Sequence, residues 1–180
     1  MGVKHAVISS CKDLGTHKKS TGVTILDSFL EARAYLRFEY LNILEGLECD
    51  NFWIAEDATK LEKTKYKILC ETGDLCKGKI VQVKPIDGLY FNIELGSKEE
   101  EDYYESFRKG LEEEKEAVLS PNKEVLDKVV NQYHMLLDDE YGSKDEIELA
   151  LLGDARNGEY SVKDLMYCLI YLDEHEELLK

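Results

Sequence analysis

The sequence predicts an α+β protein, in which a small antiparallel sheet with one packed helix is followed by an acidic helical bundle. Short β-branched segments separated by turn residues fill residues 1–97. Serine N-caps ahead of apolar stripes recur through residues 98–180. Residues 1–97 hold 13 Lys/Arg and 14 Asp/Glu, whereas residues 98–180 hold 10 and 24, so the second part carries nearly all of the net charge of −15. We therefore expect two domains, 1–97 and 98–180.

The strands of the first domain are predicted from β-branched or alternating segments. The segments "HAVISS" (5–10) and "GVTIL" (22–26) predict the first two strands, with a glycine-containing loop between them. Further strands are predicted at "NFWIAE" (51–56), "KYKILCE" (65–71), "GKIVQVK" (78–84) and "LYFNIEL" (89–95). The turn sequences "TGDLCK" and "PIDG" separate the last three, which indicates antiparallel pairing.

One helix is predicted inside the first domain. The segment "DSFLEARAYLRFEYLNILEG" (27–46) places apolar residues at helical spacing. Asp27 or Ser28 is suited to cap its start, and Gly46 is suited to end it. An apolar stripe of this kind predicts that the helix packs across the sheet.

Four N-cap signals predict four helices in the second domain. The signals are Ser97 with Glu100, Ser120 before Pro121, Ser143 with Glu146, and Ser161 with Asp164. An apolar stripe follows each of them, and Gly153 is suited to end the third helix. The four stripes together predict a bundle.

The cysteines and the absence of long apolar segments bear on the compartment. The five cysteines have no paired spacing, which predicts free thiols in a reducing compartment. Cys70 and Cys76 flank a turn, so a cross-strand disulfide between them is the alternative. No apolar run is long enough to span a bilayer, and the N-terminus lacks the apolar core of a signal peptide. These features together predict a cytoplasmic protein.

No motif predicts catalysis, a metal or a cofactor. The chain has no G-x-S-x-G, no phosphate-binding Walker loop and no G-x-G-x-x-G, and its histidines are scattered. Residues 153–165 resemble the second half of a calcium-binding loop, but Gly153 and Ala155 occupy positions that require oxygen ligands. A turn between two helices is the preferred interpretation. The sequence therefore predicts a non-catalytic protein.

Two basic segments of the first domain suggest an alternative function. "HKK" (17–19) and "KTKYK" (63–67) concentrate lysines in a domain that is otherwise nearly neutral. Lysines at the edge of a sheet commonly protect it from aggregation. A pocket formed by "HKKST" (17–21), Trp53 and the lysines of 63–67 would instead bind phosphate or a nucleotide, as a binding module or a small enzyme.

The acidic half supports the leading functional hypothesis. Segment 97–116 is dense in carboxylates, and those near its end are not explained by the helix dipole, which favours acids at the N-terminus. An acidic surface steers toward basic clefts and repels nucleic acid and anionic membranes. We therefore expect a basic protein surface as the partner, such as a nucleic-acid-binding protein or nuclease. The predicted partner-binding residues are Glu99, Glu100, Glu101, Asp102, Tyr103, Glu112, Glu113, Glu114, Glu116, Asp138, Asp139 and Glu140.

In size and charge pattern the chain resembles small acidic proteins of bacteriophages and mobile elements that inhibit bacterial defence, of the antirestriction or anti-CRISPR type. The resemblance implies a DNA-mimicking inhibitor of a host nuclease, working in a bacterial cytoplasm. It rests on charge and length rather than on a motif, so it assigns no role to an individual residue.

Overall fold

The structure is a computed structural model that describes residues 4–49, 54, 59–86, 89–92, 109, 112, 121–138 and 143–180. The chain divides into two compact units, residues 1–113 and 114–180. The boundary predicted between residues 97 and 98 lies outside the described residues. The architecture is α+β, with an antiparallel sheet in the first unit and helices in the second, which confirms the predicted fold class.

The first unit is built on a six-stranded antiparallel sheet. Its strands are β1 (Lys4–Asp13), β2 (Lys19–Leu26), β3 (Lys60–Leu61), β4 (Lys65–Leu69), β5 (Asp74–Ile86) and β6 (Leu89–Asn92). Their order is β2-β1-β5-β4-β3, and β6 pairs with the far part of β5. Of the predicted strand 51–56, the structure describes Ile54, which forms an isolated bridge with Cys70.

One described helix, α1 (Phe29–Cys49), covers one face of this sheet. Ser28 caps it, because the Ser28 hydroxyl accepts a hydrogen bond from the Glu31 amide at 3.1 Å. The helix continues through Gly46, so the predicted end at that residue is wrong. Glycine lowers helix stability without forbidding the helix, and neighbouring packing overrides it here.

Side chains of β2 and β4 join α1 to the covered face of the sheet. The Thr24 hydroxyl of β2 hydrogen-bonds the Tyr35 hydroxyl of α1 at 3.1 Å. Tyr40 of α1 packs against Tyr66 of β4, with ring centroids 6.1 Å apart. Because strand side chains alternate between faces, the intervening residues of the same strands point to the opposite, open face.

Tyr66 lies directly over Gly78, its cross-strand neighbour on β5. A β-carbon at position 78 would lie 2.0 Å from Cε1 of Tyr66, which no side chain tolerates. Glycine is therefore required at this position by close approach of the ring. The contact buries Tyr66 to 3% exposure.

A disulfide joins Cys11 of β1 to Cys76 of β5. The two residues are directly opposite in the β1–β5 ladder, with Cα atoms 4.1 Å apart, although 65 positions separate them in the chain. The prediction of free thiols is therefore wrong for this pair, and so is the alternative that joined Cys70 to Cys76. Cys70 is a free, buried thiol, as is Cys168. Sequence spacing could not reveal the bond, because strand order creates the proximity.

The second unit contains three described α-helices that contact one another pairwise: α2 (Lys123–Asp138), α3 (Lys144–Arg156) and α4 (Val162–Glu174). A 3₁₀-helix, Glu176–Leu179, follows them. Their apolar stripes form a buried core of Val129, Tyr133, Ile147, Leu151, Leu152, Leu165, Met166, Leu169, Ile170 and Leu172. The first predicted helix, which begins near Ser97, lies outside the described residues apart from the helical positions 109 and 112.

The caps of these helices agree with prediction at two places. Ser143 and Glu146 form a reciprocal capping box, and Ser161 accepts a hydrogen bond from the Asp164 amide. The predicted start at Ser120 and Pro121 is wrong, because α2 begins at Lys123. The Asn122 side chain accepts hydrogen bonds from the amides of residues 124 and 125.

The predicted end of α3 at Gly153 is also wrong. The helix runs through that residue to Arg156, and Asn157 is its C-cap. Gly158, with φ of 94°, then makes the turn toward α4, because its left-handed backbone favours glycine. The segment that resembles a calcium loop therefore connects two helices, in agreement with the interpretation preferred from the sequence.

None of the described helices is long and apolar enough to cross a bilayer.

Reducing the disulfide is expected to destabilise the first unit. Replacing both Cys11 and Cys76 by serine should lower the free energy of unfolding by about 2–4 kcal/mol, because the bond closes a long loop in the unfolded chain. Urea titration with and without dithiothreitol measures the change in the native protein. The double serine variant is its own control, because dithiothreitol should not change its stability, and equal stability of the oxidised and reduced native protein would contradict the prediction.

The carboxyl of Glu39, on the covered side of α1, predicts a pH dependence. Burial raises its pKa above the ordinary value of 4.5, while a hydrogen bond from Ser9 opposes the rise. The protonated form is favoured in the folded state, so its stabilisation is complete below pH 4.5 and is lost as pH rises through the raised pKa. Relative to Glu39→Gln, the native protein should lose stability over that range.

Urea titrations from pH 4 to 8 measure this difference for both proteins. The matched control is Glu71→Gln, which makes the same change in an exposed turn. A difference between native protein and Glu39→Gln that stays constant across the range would show that the carboxyl is not selectively protonated in the folded state.

Candidate functional site

The open face of the sheet is lined with lysines. On β4, Lys65 and Lys67 are exposed and alternate with buried Tyr66 and Ile68. On β5, exposed Lys77 and Lys79 alternate with buried Cys76 and Gly78 in the same way. The two-residue period of the strands therefore places four lysines on the face opposite α1.

Strand register sets these lysines directly opposite one another. Lys65 faces Lys79 across the β4–β5 ladder, and Lys67 faces Lys77. Lys67 also faces Lys60 of β3, so one row crosses three strands as Lys77, Lys67 and Lys60. Like charges at directly opposed positions destabilise a sheet. The arrangement is therefore not explained by the stability of the fold.

Among the described residues, the carboxylate of Glu62 accompanies the lysines in this part of the structure. Glu62 lies 3.0 Å from the Lys60 ammonium and 3.1 Å from the Lys65 ammonium. Hydrogen bonds from these two lysines lower the pKa of Glu62, which keeps it ionised. Within the described residues, Lys67, Lys77 and Lys79 form no salt bridge. Positive charge is therefore left in excess.

The lysines surround a cleft of about 580 Å³. Lys19 of β2 contributes a sixth ammonium group, and Ile8, Ser10 and Thr21 form a less charged wall on β1 and β2. A volume of this size is typical of sites for small molecules. A flexible lysine supplies a point charge, which suits phosphate oxygens. The cleft has the size and charge for a multiply phosphorylated small molecule.

The structure brings together part of the basic site suggested by the sequence. Lys19, Lys65 and Lys67 line the cleft, whereas His17 lies in the β1–β2 turn with φ of 60°, and Trp53 lies outside the described residues. Sequence reasoning missed Lys60, Lys77 and Lys79. Alternation along "CKGKI" was a signal for Lys77 and Lys79, but the register of the β4–β5 hairpin was needed to set them opposite the lysines of β4.

Most residues predicted to bind a basic partner lie outside the described part of the chain. These are Glu99, Glu100, Glu101, Asp102, Tyr103, Glu113, Glu114, Glu116, Asp139 and Glu140. Glu112 and Asp138 are described, and both are exposed in helical backbone. Asp138 ends α2, where the helix dipole disfavours a carboxylate, and the last turn of that helix holds no basic residue.

The described residues contain no group of His, Cys, Asp or Glu side chains that could hold a metal ion. In the segment that resembles a calcium loop, the carboxylate of Asp154 accepts a hydrogen bond from Gln132 at 3.2 Å. Asp164 is engaged by the cap residue Ser161. These carboxylates serve local structure.

Comparison with protein-family models, with curated proteins and with solved structures returns no match to this chain. The fold and the cleft therefore define the class of molecule by themselves: a two-unit α+β protein with a cationic sheet face.

Proposed function

We propose that this protein is a binding module for a multiply phosphorylated small molecule, such as a nucleotide, held in the lysine-lined cleft of the first unit. The observation that supports the proposal is the row of directly opposed lysines, Lys60, Lys67 and Lys77. Their mutual repulsion lowers stability in the free protein. A bound polyanion would remove that repulsion, so binding energy and charge relief act together.

The proposed contacts are made by the cleft to the phosphate groups of the ligand rather than to a base or a sugar. The described walls of the cleft offer lysine ammonium groups, the hydroxyls of Ser10 and Thr21, and the apolar surface of Ile8. None of the described lining residues is an aromatic other than Tyr66, whose ring packs on Gly78. Affinity should therefore rise with the number of phosphates.

Removal of two central lysines is expected to weaken ligand binding while leaving the fold intact. In Lys67→Gln with Lys77→Gln, affinity for ATP should fall by about tenfold or more, because two charge-assisted contacts are lost. The free energy of unfolding should rise by about 0.2–1 kcal/mol, because an opposed pair of like charges is removed. Calorimetric titration and urea unfolding measure the two effects.

Lys18→Gln, in the exposed β1–β2 turn outside the cleft, is the matched control and should bind ATP normally. Adenosine, AMP and inorganic triphosphate separate the contribution of phosphates from that of the nucleoside. The proposal fails if adenosine binds as tightly as ATP, or if neither ATP nor triphosphate raises the unfolding midpoint of the native protein.

The acidic half supports a second candidate function, which the sequence favours: binding to a basic surface of a nucleic-acid-binding protein or nuclease. The observation in its favour is the placement of carboxylates at helix C-termini. Neither α2, which ends at Asp138, nor α4, which ends at Glu174, has a basic residue in its last turn. Such placement opposes the helix dipole and is explained by a cationic partner.

Charge reversal tests this second candidate. Replacing residues 99–102 and 112–114 by lysine should abolish capture of a basic partner from a bacterial lysate and leave the circular dichroism spectrum unchanged. The captured partner should also elute from the native protein as salt is raised, because screening weakens exposed charges. Glu71→Lys, in the first unit, is the control. If capture survives the charge reversal at physiological salt, the acidic surface is not the binding surface for the partner.

The sequence predicts a cytoplasmic protein, and both candidate functions are compatible with that location. The Cys11–Cys76 disulfide is more typical of an oxidising compartment, because glutathione and thioredoxin keep cytosolic thiols reduced. Alkylation of thiols in intact producing cells, followed by mass spectrometry of the Cys11 and Cys76 peptides, distinguishes the two compartments.

A further inference from the structure

A second cavity lies on the other side of the sheet, between the covered face and α1. Its volume is about 460 Å³. Residues of α1 form one wall, including Tyr35, Phe38 and Glu39, and residues of β1 and β4, including Ser9 and Tyr66, form the other. In contrast to the lysine-lined cleft, the described residues that line this cavity include no lysine or arginine.

Two polar atoms in the wall of this cavity are buried without a hydrogen-bond partner among the described residues. They are the hydroxyl of Tyr66 and the Oε2 atom of Glu39. Tyr66 is 3% exposed, so bulk water does not satisfy its hydroxyl. Buried polar groups in native structures nearly always form hydrogen bonds. Two buried oxygen atoms without a partner, both beside a cavity, therefore indicate a hydrogen-bonding group bound in that cavity.

The two atoms define what that group must offer. A carboxylate oxygen only accepts hydrogen bonds, and a phenol oxygen accepts as well as donates. A ligand that donates to both therefore fits, and an anion is excluded by the charge of Glu39. The hydroxyl of Ser9 hydrogen-bonds the Glu39 side chain and orients the carboxyl.

The remaining wall favours a positively charged donor over a neutral one. Three aromatic rings, those of Tyr35, Phe38 and Tyr66, line the same cavity as the carboxyl of Glu39. Ring faces attract cations, and aromatic walls beside a carboxylate are a recurring way to bind organic ammonium groups. A cation also offsets the burial that raises the pKa of Glu39.

We propose that this cavity binds a small organic ammonium compound, with the ammonium group between Glu39 and Tyr66 and its carbon substituents against the aromatic rings. The proposal is independent of the function of the lysine-lined cleft, because the ligand carries the opposite charge and contacts the opposite face.

The test is calorimetric titration of the whole chain with ethanolamine and 3,3-dimethylbutylamine, whose primary ammonium groups donate hydrogen bonds, and with 3,3-dimethylbutan-1-ol, the uncharged hydroxyl analogue of the second amine. At least one of the two ammonium compounds should bind, and the uncharged analogue should bind about tenfold more weakly or not at all. Glu39→Gln should weaken ammonium binding by about tenfold or more, because the charged acceptor is lost. Tyr66→Phe should weaken it by about fivefold.

Both variants keep the shape of the wall, and neither removes a hydrogen bond between Tyr66 and a described residue. We therefore expect both to fold, and the unfolding midpoint of each variant checks this. Lys67→Gln, on the opposite face, is the matched control and should bind ammonium as the native protein does. The proposal is overturned if neither ammonium compound binds the native protein, if the uncharged analogue binds equally well, or if Glu39→Gln retains native affinity.

Discussion

The pairing of β1 with β5 is the constraint on which the rest of the first unit depends. Ten residue pairs, from Lys4 with Val83 to Asp13 with Asp74, hold the two central strands together. The Cys11–Cys76 disulfide fixes their register covalently, and the Tyr66 ring resting on Gly78 fixes the register of β4 against β5. Because side chains alternate along a strand, register decides which residues face α1 and which face solvent. The chemistry of both cavities follows from this choice.

The two faces of one sheet thereby acquire opposite character. The open face collects lysines from four strands, β2, β3, β4 and β5, and the carboxylate of Glu62 lies beside them. On the covered side, α1 contributes Glu39, Tyr35 and Phe38, and β4 contributes Tyr66, to a cavity whose described lining residues include no lysine or arginine. A sheet is about one residue thick, so the two cavities, for which we propose an anionic and a cationic ligand, lie back to back. Neither set of side chains is explained by stability, since opposed lysines repel and unpaired buried oxygens are unfavourable.

Local patterns in the sequence predicted most of the described elements but not the full order of the strands. Alternation and turn residues predicted β1, β2, β4, β5 and β6 but not β3, and serine caps predicted the starts of α1, α3 and α4. Helix ends were predicted poorly, because Gly46 and Gly153 lie within helices whose packing outweighs the low propensity of glycine. The disulfide was missed because it joins positions 65 apart in the chain, and the pairing of β1 with β5 is a property of topology. The lysine row was missed for another reason, since it depends on the register of the β3–β4 and β4–β5 pairs.

The ladder between Cys11 and Cys76 also determines how this chain tolerates changes in length. Loss of one residue between Gly78 and Val83 would move every later position of β5 to the other face, while the disulfide held the earlier positions in place. The strand would then have to bulge at that point or give up its pairing with the first half of β1. Single-residue insertions and deletions should therefore be tolerated in the β1–β2 turn and in loops. In the centre of β5 they should not be tolerated, even at positions that accept substitutions.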